Sequence, residues 1–220
     1  MSQKASLECY QLRLFLKGVS PMIWRRILVT NSSSLADLHY VIQIAMGWRD
    51  IHLHQFDIWG KNYGLAYDGG LSFSDNARKI YLKDFGFRIN ERFLYEYNFF
   101  DHWEHEIRLE KKFPIDSRKT YPICIGGNYL APPEDCGGPI SFMKLKDHYT
   151  VWTIEEKLLE ALEYYESEKD RNFFQETIEE LRYWLTRHQF DFQKTNRQLQ
   201  RYFNHQEKSR LTIEEIQDED

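Results

Sequence analysis

The chain has 220 residues and a mass of 26.7 kDa, which suits one domain or one domain with a helical extension. Apolar residues make up 42% of the sequence and charged residues 29%, a composition that excludes a wholly disordered or fibrous protein. The longest stretch without an acidic or basic side chain, 120–133, is too short and too rich in Pro and Gly to cross a bilayer. No signal-peptide pattern opens the chain, and its three cysteines favour reduced thiols, so we expect a cytoplasmic protein.

The formal net charge of −5 is unevenly distributed along the chain. Residues 1–150 carry 19 Lys and Arg against 17 Asp and Glu, whereas residues 151–220 carry 10 against 17. The two parts therefore have balances of +2 and −7. An acidic chain argues against a dedicated nucleic-acid binder, although it is compatible with a local basic face.

Alternating apolar residues in the first half predict strands. The segments 7–17 and 23–30 flank the turn at 18–21 and should form an opening hairpin. Ser34 is predicted to cap a helix that runs to Met46 and ends at Gly47. Further strands are predicted near 53–59, 93–99 and 106–111, with a turn-rich stretch at 62–75.

The second half changes to a helical period. Thr153 and Glu156 fit a capping box at the start of one helix, a second helix begins near Asn172, and Asp191 is predicted to cap a third. We therefore predict an α+β fold: a mostly antiparallel sheet with one early helix and a C-terminal set of about three helices packed on it. Residues 1–150 should form the α+β core, and residues 151–220 a helical extension of the same domain with a frayed acidic end.

The first cluster with chemical potential is the segment His52-Leu53-His54-Gln55-Phe56. On a strand, His52 and His54 would point to the same face and could share a metal ion, or act as a base beside a donor. The alternative is structural, with one imidazole bonded to a backbone carbonyl and the other solvated.

The second cluster is Asp101-His102-Trp103-Glu104-His105, which lies between two predicted strands. If it is extended, Asp101, Trp103 and His105 share a face and could join His52 and His54 in a metal or acid–base site. In the alternative interpretation, Asp101 is a turn residue that accepts backbone N–H bonds and Trp103 belongs to the core.

The third cluster is the loop Pro132-Pro133-Glu134-Asp135-Cys136-Gly137-Gly138. Glu134, Asp135 and Cys136 could donate metal ligands, or they could fix a rigid turn through bonds to the backbone. The spacing of Cys124 and Cys136 does not match a zinc-ribbon pair.

A combination of short strings spread over nearly the whole chain is specific. These strings are Tyr10-Gln11-Leu12, Pro21-Met22-Ile23-Trp24-Arg25-Arg26, Leu38-His39, Ala45-Met46-Gly47-Trp48, His52-Leu53-His54-Gln55-Phe56, Trp103-Glu104-His105, the loop at 132–138, and Phe190-Asp191 followed by Asn196 and Leu199. With them the chain resembles the Ri-plasmid (pRiA-type) ORF-three-like family, also labelled the insertion-element passenger family TnpR. The resemblance implies an α+β fold and a cytoplasmic prokaryotic protein, and it supplies no established activity.

The chain departs from that family's pattern at one place. Family members usually read Tyr-Asp-Phe-Gly-Asp before the tryptophan, whereas Asn98 and Phe100 stand here. If the family uses its first acid for chemistry or for a metal, this chain has lost that function. The residues also argue against a serine recombinase or resolvase, since no serine lies beside an arginine cluster.

Our favoured functional hypothesis is a non-enzymatic protein-interaction or scaffold module. The many Trp and Tyr residues would build the core and a binding groove, and the acidic helical end would be a docking surface. A protein partner is thus favoured over nucleic acid, no membrane partner is expected, and exposed aromatic residues can support a homo-oligomer. No catalytic residue is assigned.

Two alternatives stay open. One is a metal-binding protein or metal-dependent hydrolase, in which a divalent ion lowers the pKa of bound water. Its predicted ligands are His52, His54, Asp101 and His105. The other is a nucleic-acid-associated accessory factor of mobile elements, based on Arg25, Arg26 and Arg49, of which the first two should point to opposite faces of a strand.

Overall fold

A seven-stranded antiparallel sheet is the centre of the fold. The computed structural model describes residues 7–65 and 72–217, with side chains up to residue 204. The strands are β1 (Glu8–Leu16), β2 (Trp24–Thr30), β3 (His54–Ile58), β4 (Lys61–Tyr63), β5 (Arg92–Tyr97), β6 (Trp103–Pro114) and β7 (Ile123–Asn128). They lie in the order β4-β3-β5-β6-β1-β2-β7. Together with the helices, this sheet confirms the predicted α+β class.

The described residues form five α-helices: α1 (Leu35–Met46), α2 (Gly138–His148), α3 (Val151–Glu168), α4 (Arg171–Thr186) and α5 (Phe192–Gln217). Helix α1 has the predicted bounds, because the Ser34 hydroxyl accepts from the Asp37 amide at 3.0 Å and the Asp37 carboxylate accepts from the Ser34 amide at 2.9 Å. Gly47 ends the helix with φ of 78°. No described helix is long and apolar enough to cross a membrane.

Several elements differ from the sequence-based expectations. The capping residue of α3 is Thr150 rather than Thr153, since the Thr150 hydroxyl accepts from the Thr153 amide. Strands β4 and β7 and helix α2 were not predicted. β4 has only three residues and overlaps the turn-rich stretch, β7 contains a Gly pair, and α2 opens with Gly-Pro. The backbone of 214–217 continues α5, and residues 218–220 of the predicted frayed end, like 66–71 of the turn-rich stretch, lie outside the described residues.

One apolar cluster joins the sheet to the helices. Alternate residues of the central strands, such as Leu14 and Ile107, are fully buried, as are Leu38 and Ile42 of α1. Each buried side chain of this kind contributes about 1.5–3 kcal/mol. The cluster also includes residues from the later helices, namely Ile154, Leu181, Trp184 and Leu199. Residues before and after position 150 therefore share one core.

Arg25 is a buried cation within this core, with 1% of its surface exposed. Its Nε donates to the Ala45 carbonyl in the last turn of α1 at 2.7 Å. Its Nη1 donates to the carbonyls of Trp24 at 2.8 Å and of Asn128, at the end of β7, at 3.1 Å. The guanidinium carbon lies 3.7 Å from the ring centroid of Phe190. Burial lowers the pKa of Arg25 to about 10, so the side chain stays charged at neutral pH.

Asn196 of α5 contacts the outer edge of β7 through both polar atoms of its side chain. Its Oδ1 accepts from the Cys124 amide at 2.7 Å, and its Nδ2 donates to the Cys124 carbonyl at 2.9 Å. The amide group thus pairs with one residue of β7 as a neighbouring strand would.

Replacing Arg25 by Met should strongly destabilise the protein. The buried Ala45 carbonyl and the partly buried carbonyls of Trp24 and Asn128 would lose this donor, and the core would lose a well-packed side chain. We expect the free energy of unfolding to fall by about 3 kcal/mol or more. Arg26→Met on the same strand is the matched control, since its half-exposed side chain pairs with Glu110 and such pairs contribute about 1 kcal/mol or less. Urea unfolding of both variants measures the difference, and equal losses would contradict the role assigned to Arg25.

Candidate functional site

The loop at 132–138 contacts the other two sequence clusters, and its Glu134 is buried. The Tyr97 hydroxyl donates to its carboxylate, and burial beside this carboxylate raises the pKa of Tyr97. The Arg49 amide donates to both carboxylate oxygens at 3.1 Å, and the Arg49 Nε donates at 3.3 Å. Four donor contacts on one carboxylate leave little capacity for a metal ion, so Glu134 mainly fixes the loop.

The turn before β6 contacts the same loop. The Asp101 carboxylate accepts from the Gly137 amide at 3.1 Å, and the fully buried Trp103 donates its indole N–H to the Glu134 carbonyl at 3.2 Å. The Asn98 Oδ1 accepts from the amides of Phe100 and Asp101, and its Nδ2 lies 3.5 Å from an Asp135 oxygen. Asn98 has φ of 54°, a conformation that Asn tolerates well. In this chain, Asn98 and Asp101 therefore hold the turn.

His52 and Asp135 come together at the surface side of the loop, where His52 Nε2 lies 2.6 Å from Asp135 Oδ1. Strand β3 begins only at His54, so His52 precedes the strand, and the two histidines contact different partners. Cys136 lies in the same loop, and burial together with the carboxylates of Asp101 and Asp135 raises its pKa to about 12. Its thiol is therefore protonated at neutral pH and is a poor nucleophile or ligand in this state.

His105 lies in the core, fully buried, with its ring at the edge of Trp48 and 5.6 Å from that of Tyr95. Burial lowers its pKa to about 3, opposed in part by the nearby carbonyls of Trp103 and Tyr95 and assisted by the charge of Arg25. The imidazole is therefore neutral at physiological pH. Within the described residues, His52, Asp101 and His105 belong to no group of three closely spaced metal-ligating side chains.

His54 does belong to such a group, with His39 and Asp50. One ligand atom from each residue lies within 4.8 Å of the other two, and this is the only group of three found in the described part of the chain. The imidazole rings of His39 and His54 stack with centroids 3.5 Å apart and an angle of 10° between their planes. His39 Nε2 lies 2.8 Å from Asp50 Oδ1. The three side chains come from α1, from the connection after it and from the start of β3.

The two imidazoles differ in their hydrogen bonds. His39 Nδ1 lies 2.8 Å from the Tyr95 hydroxyl, which also accepts from Gln43 Nε2 at 2.8 Å. Neither nitrogen of His54 has a hydrogen-bond partner in the described structure, although the residue is 1% exposed. Burial, with a smaller effect from His39, lowers the pKa of His54 to about 2. The imidazole is therefore neutral near pH 7, with a proton on only one of its two nitrogens. Buried polar atoms without partners are uncommon and need an explanation.

His39 and Asp50 were missed as site residues in the sequence. His39 and Gln43 are polar residues one helical turn apart on the buried side of α1, where apolar residues are expected. That break in the apolar stripe is the signal that could have found His39. Asp50 lies in the segment that carries the first cluster, but its left-handed backbone, with φ of 58°, depends on tertiary structure.

Because His105 is buried in its neutral form, we expect the stability of the protein to depend on pH. The pKa of His105 is about 3 in the folded protein and about 6.5 in the unfolded chain, so the unfolded chain binds protons more strongly. The contribution of the neutral His105 to the free energy of unfolding is complete above about pH 6.5 and is lost as the pH falls toward 3. By pH 5 the loss is about 2 kcal/mol. Urea unfolding measures the free energy of unfolding at pH 7 and at pH 5. Between these two pH values it should fall by about 2 kcal/mol less in His105→Leu than in the wild type. The same loss in both proteins would contradict the assignment.

Comparison with known proteins agrees with the fold and the motifs. The protein of unknown function MM3350 from Methanosarcina mazei Go1 has a crystal structure that matches with a TM-score of 0.60 and 34% identity, over 86% of this chain and 97% of that one. The uncharacterized protein y4hQ from Sinorhizobium fredii is 33% identical over 138 residues, 61% of this chain and 69% of the relative. The family described as plasmid pRiA4b ORF-3-like protein matches residues 8–196. The chain therefore belongs to the plasmid pRiA4b ORF-3-like family.

Proposed function

We propose that this protein binds a transition-metal ion through His39, Asp50 and His54. The observation that carries the proposal is the buried His54 imidazole, which has no hydrogen-bond partner in the described structure and lies beside a second imidazole and a carboxylate. The neutral imidazole has a lone pair available to a metal ion. This ligand set keeps only His54 from the four ligands that the sequence suggested.

The donor types suit a zinc or ferrous ion. Two imidazoles and one carboxylate are a frequent set for both metals, and they leave further coordination positions open. Asp50 provides the solvent-facing side of the group, since 23% of its side chain is exposed while the side chain of His39 is fully buried. A metal ion would replace the proton shared by His39 Nε2 and Asp50 Oδ1, so that binding releases a proton.

Metal binding requires a local rearrangement of His54. A metal ion lies in the plane of each ligating imidazole, but the rings of His39 and His54 are stacked face to face. The His54 ring must therefore turn away from His39. The Tyr95 hydroxyl, held by Gln43, would meanwhile keep the His39 ring in place through Nδ1, as outer hydrogen bonds do in known metal sites.

Tag-free protein dialysed against zinc or cobalt should retain about one equivalent of metal, and cobalt should produce visible absorption bands typical of nitrogen and oxygen ligation. His54→Ala and Asp50→Asn should each abolish retention. His52→Ala is the matched control and should retain the metal, because His52 contacts Asp135 instead.

Circular dichroism of each variant separates loss of the site from loss of the fold. The proposal is refuted if the wild type takes up no more zinc, cobalt or ferrous ion than a folded His54→Ala or Asp50→Asn variant. Loss of metal in His52→Ala alone would place the site at the loop instead.

The helical hairpin of α3 and α4 supports a second candidate function, protein interaction. Only Ile154 and Ala161 of α3 are buried, whereas Val151, Trp152 and Leu159 are 72%, 79% and 55% exposed. The same helix contains six Glu and one Lys. An exposed apolar surface surrounded by acidic residues matches a basic amphipathic helix, and we take such a helix as the partner.

Two model peptides test this partner. A helical peptide of leucine and lysine with an amphipathic pattern should bind in a calorimetric titration, and its leucine–glutamate counterpart should not. The double variant Trp152→Ala, Leu159→Ala should lose binding, while Phe100→Ala, which removes a side chain that is 95% exposed elsewhere, should keep it. If the two peptides bind equally, or if neither binds, a basic amphipathic helix is not the partner of this surface.

A further inference from the structure

Four arginines form a line across the face of the sheet that is opposite to the buried one. The strand register pairs Arg26 of β2 with Arg13 of β1, Arg13 with Arg108 of β6, and Arg108 with Arg92 of β5. The neighbours of these residues along each strand are buried, as the alternation in a strand requires. We call these four residues the arginine row.

The two ends of the arginine row are paired with carboxylates, but its centre is not. Arg26 makes two bonds to Glu110, at 2.6 and 3.0 Å, and Arg92 lies 3.2 Å from Glu106. In the described structure, Arg108 has no ion pair, and Arg13 donates a hydrogen bond to a sulfur, Met22 Sδ, at 3.3 Å. Glu110 is bonded to Arg26, and Arg13 acts on this carboxylate only through its charge, so that both arginines lower the pKa of Glu110. The Nε atoms of both central arginines are shielded from solvent and have no hydrogen-bond partner among the described residues.

This arrangement has a cost in stability. Like charges directly opposite one another on adjacent strands repel, and shielded donors without acceptors are unfavourable. An anionic ligand would relieve both effects, since each guanidinium offers a planar pair of donors that matches phosphate oxygens. The row therefore has the properties of a binding site whose ligand is an anion.

The shape of the site favours an extended anion over a single one. Adjacent strands lie about 4.8 Å apart, so the row spans about 14 Å. Three of its arginines, Arg13, Arg26 and Arg108, line a cavity of about 600 Å³, together with Gln11, Asn90, Lys111 and the ion-paired Glu110. Two aromatic residues, Phe15 and Trp24, occupy the next position on the same face, and the guanidinium groups of Arg13 and Arg26 lie 5.6 and 5.3 Å from the Trp24 ring.

We propose that the arginine row binds a chain of consecutive phosphate groups. Such a chain is provided either by single-stranded nucleic acid, whose bases could contact the aromatic residues, or by inorganic polyphosphate. The site is separate from the proposed metal ligands, none of which lies on this face, so either proposal can fail without the other. The acidic charge of the whole chain does not prevent binding, because its excess of acid falls within residues 151–220.

Fluorescence anisotropy with a labelled oligothymidine at low salt tests the nucleic-acid source, and thermal unfolding with tripolyphosphate tests the polyphosphate source. Binding of the oligonucleotide, or a higher unfolding temperature with tripolyphosphate, supports the site and identifies the source. The double variant Arg13→Gln, Arg108→Gln should weaken the observed binding at least about tenfold. It should also make the salt dependence shallower by about one unit per arginine.

Arg182→Gln is the control, since it removes an exposed arginine from α4 and should leave binding unchanged. Without ligand, the double variant should unfold at the same temperature as the wild type or higher, because it relieves repulsion within the row. Absence of binding to both probes, or equal binding by wild type and double variant, would overturn the proposal.

Discussion

A cation in the interior, Arg25, connects helix α1, the sheet and the segment before α5, and the rest of the fold depends on this connection. Its guanidinium bonds to carbonyls of α1 and β7 and lies against the ring of Phe190, just before α5. The charge is compensated by peptide dipoles rather than by an acid, and these dipoles come from segments distant in sequence. The position of α1 over the sheet is thereby fixed, and α1 in turn carries His39 and the segment that leads to Asp50 and His54.

Two neighbouring groups of polar residues differ in how far their hydrogen-bonding capacity is used within the fold. The Glu134 carboxylate accepts from Tyr97 and Arg49 until its capacity is largely used, and the loop around it is thereby held against the sheet. The His54 imidazole is at least as deeply buried, yet it has no such partner in the described structure. Both nitrogens of the buried His105 also lack a hydrogen-bond partner there, but His54 lies beside a second imidazole and a carboxylate. His54 is therefore the better candidate for contact with a ligand supplied from outside.

The sequence predicted most of the fold and little of the site. The α+β class, the hairpin of β1 and β2, and helix α1 from Ser34 to Gly47 followed from local patterns of polarity and capping. The candidate metal group could not be predicted in the same way, because His39 and His54 meet only when α1 packs on the sheet. The arginine row depends on register across four strands, and only the separation of Arg25 and Arg26 onto opposite faces was accessible from alternation along one strand.

The contact of Asn196 with β7 has a consequence for solubility. β7 is the last strand of the sheet, and the free amide and carbonyl groups of such a strand can recruit a strand from another molecule. Asn196 occupies the amide and carbonyl of Cys124, near the start of that edge. Through Asn196, helix α5 therefore blocks the pairing of β7 with a strand from another molecule. A shortened chain without α5 would have an open edge at which aggregation can start.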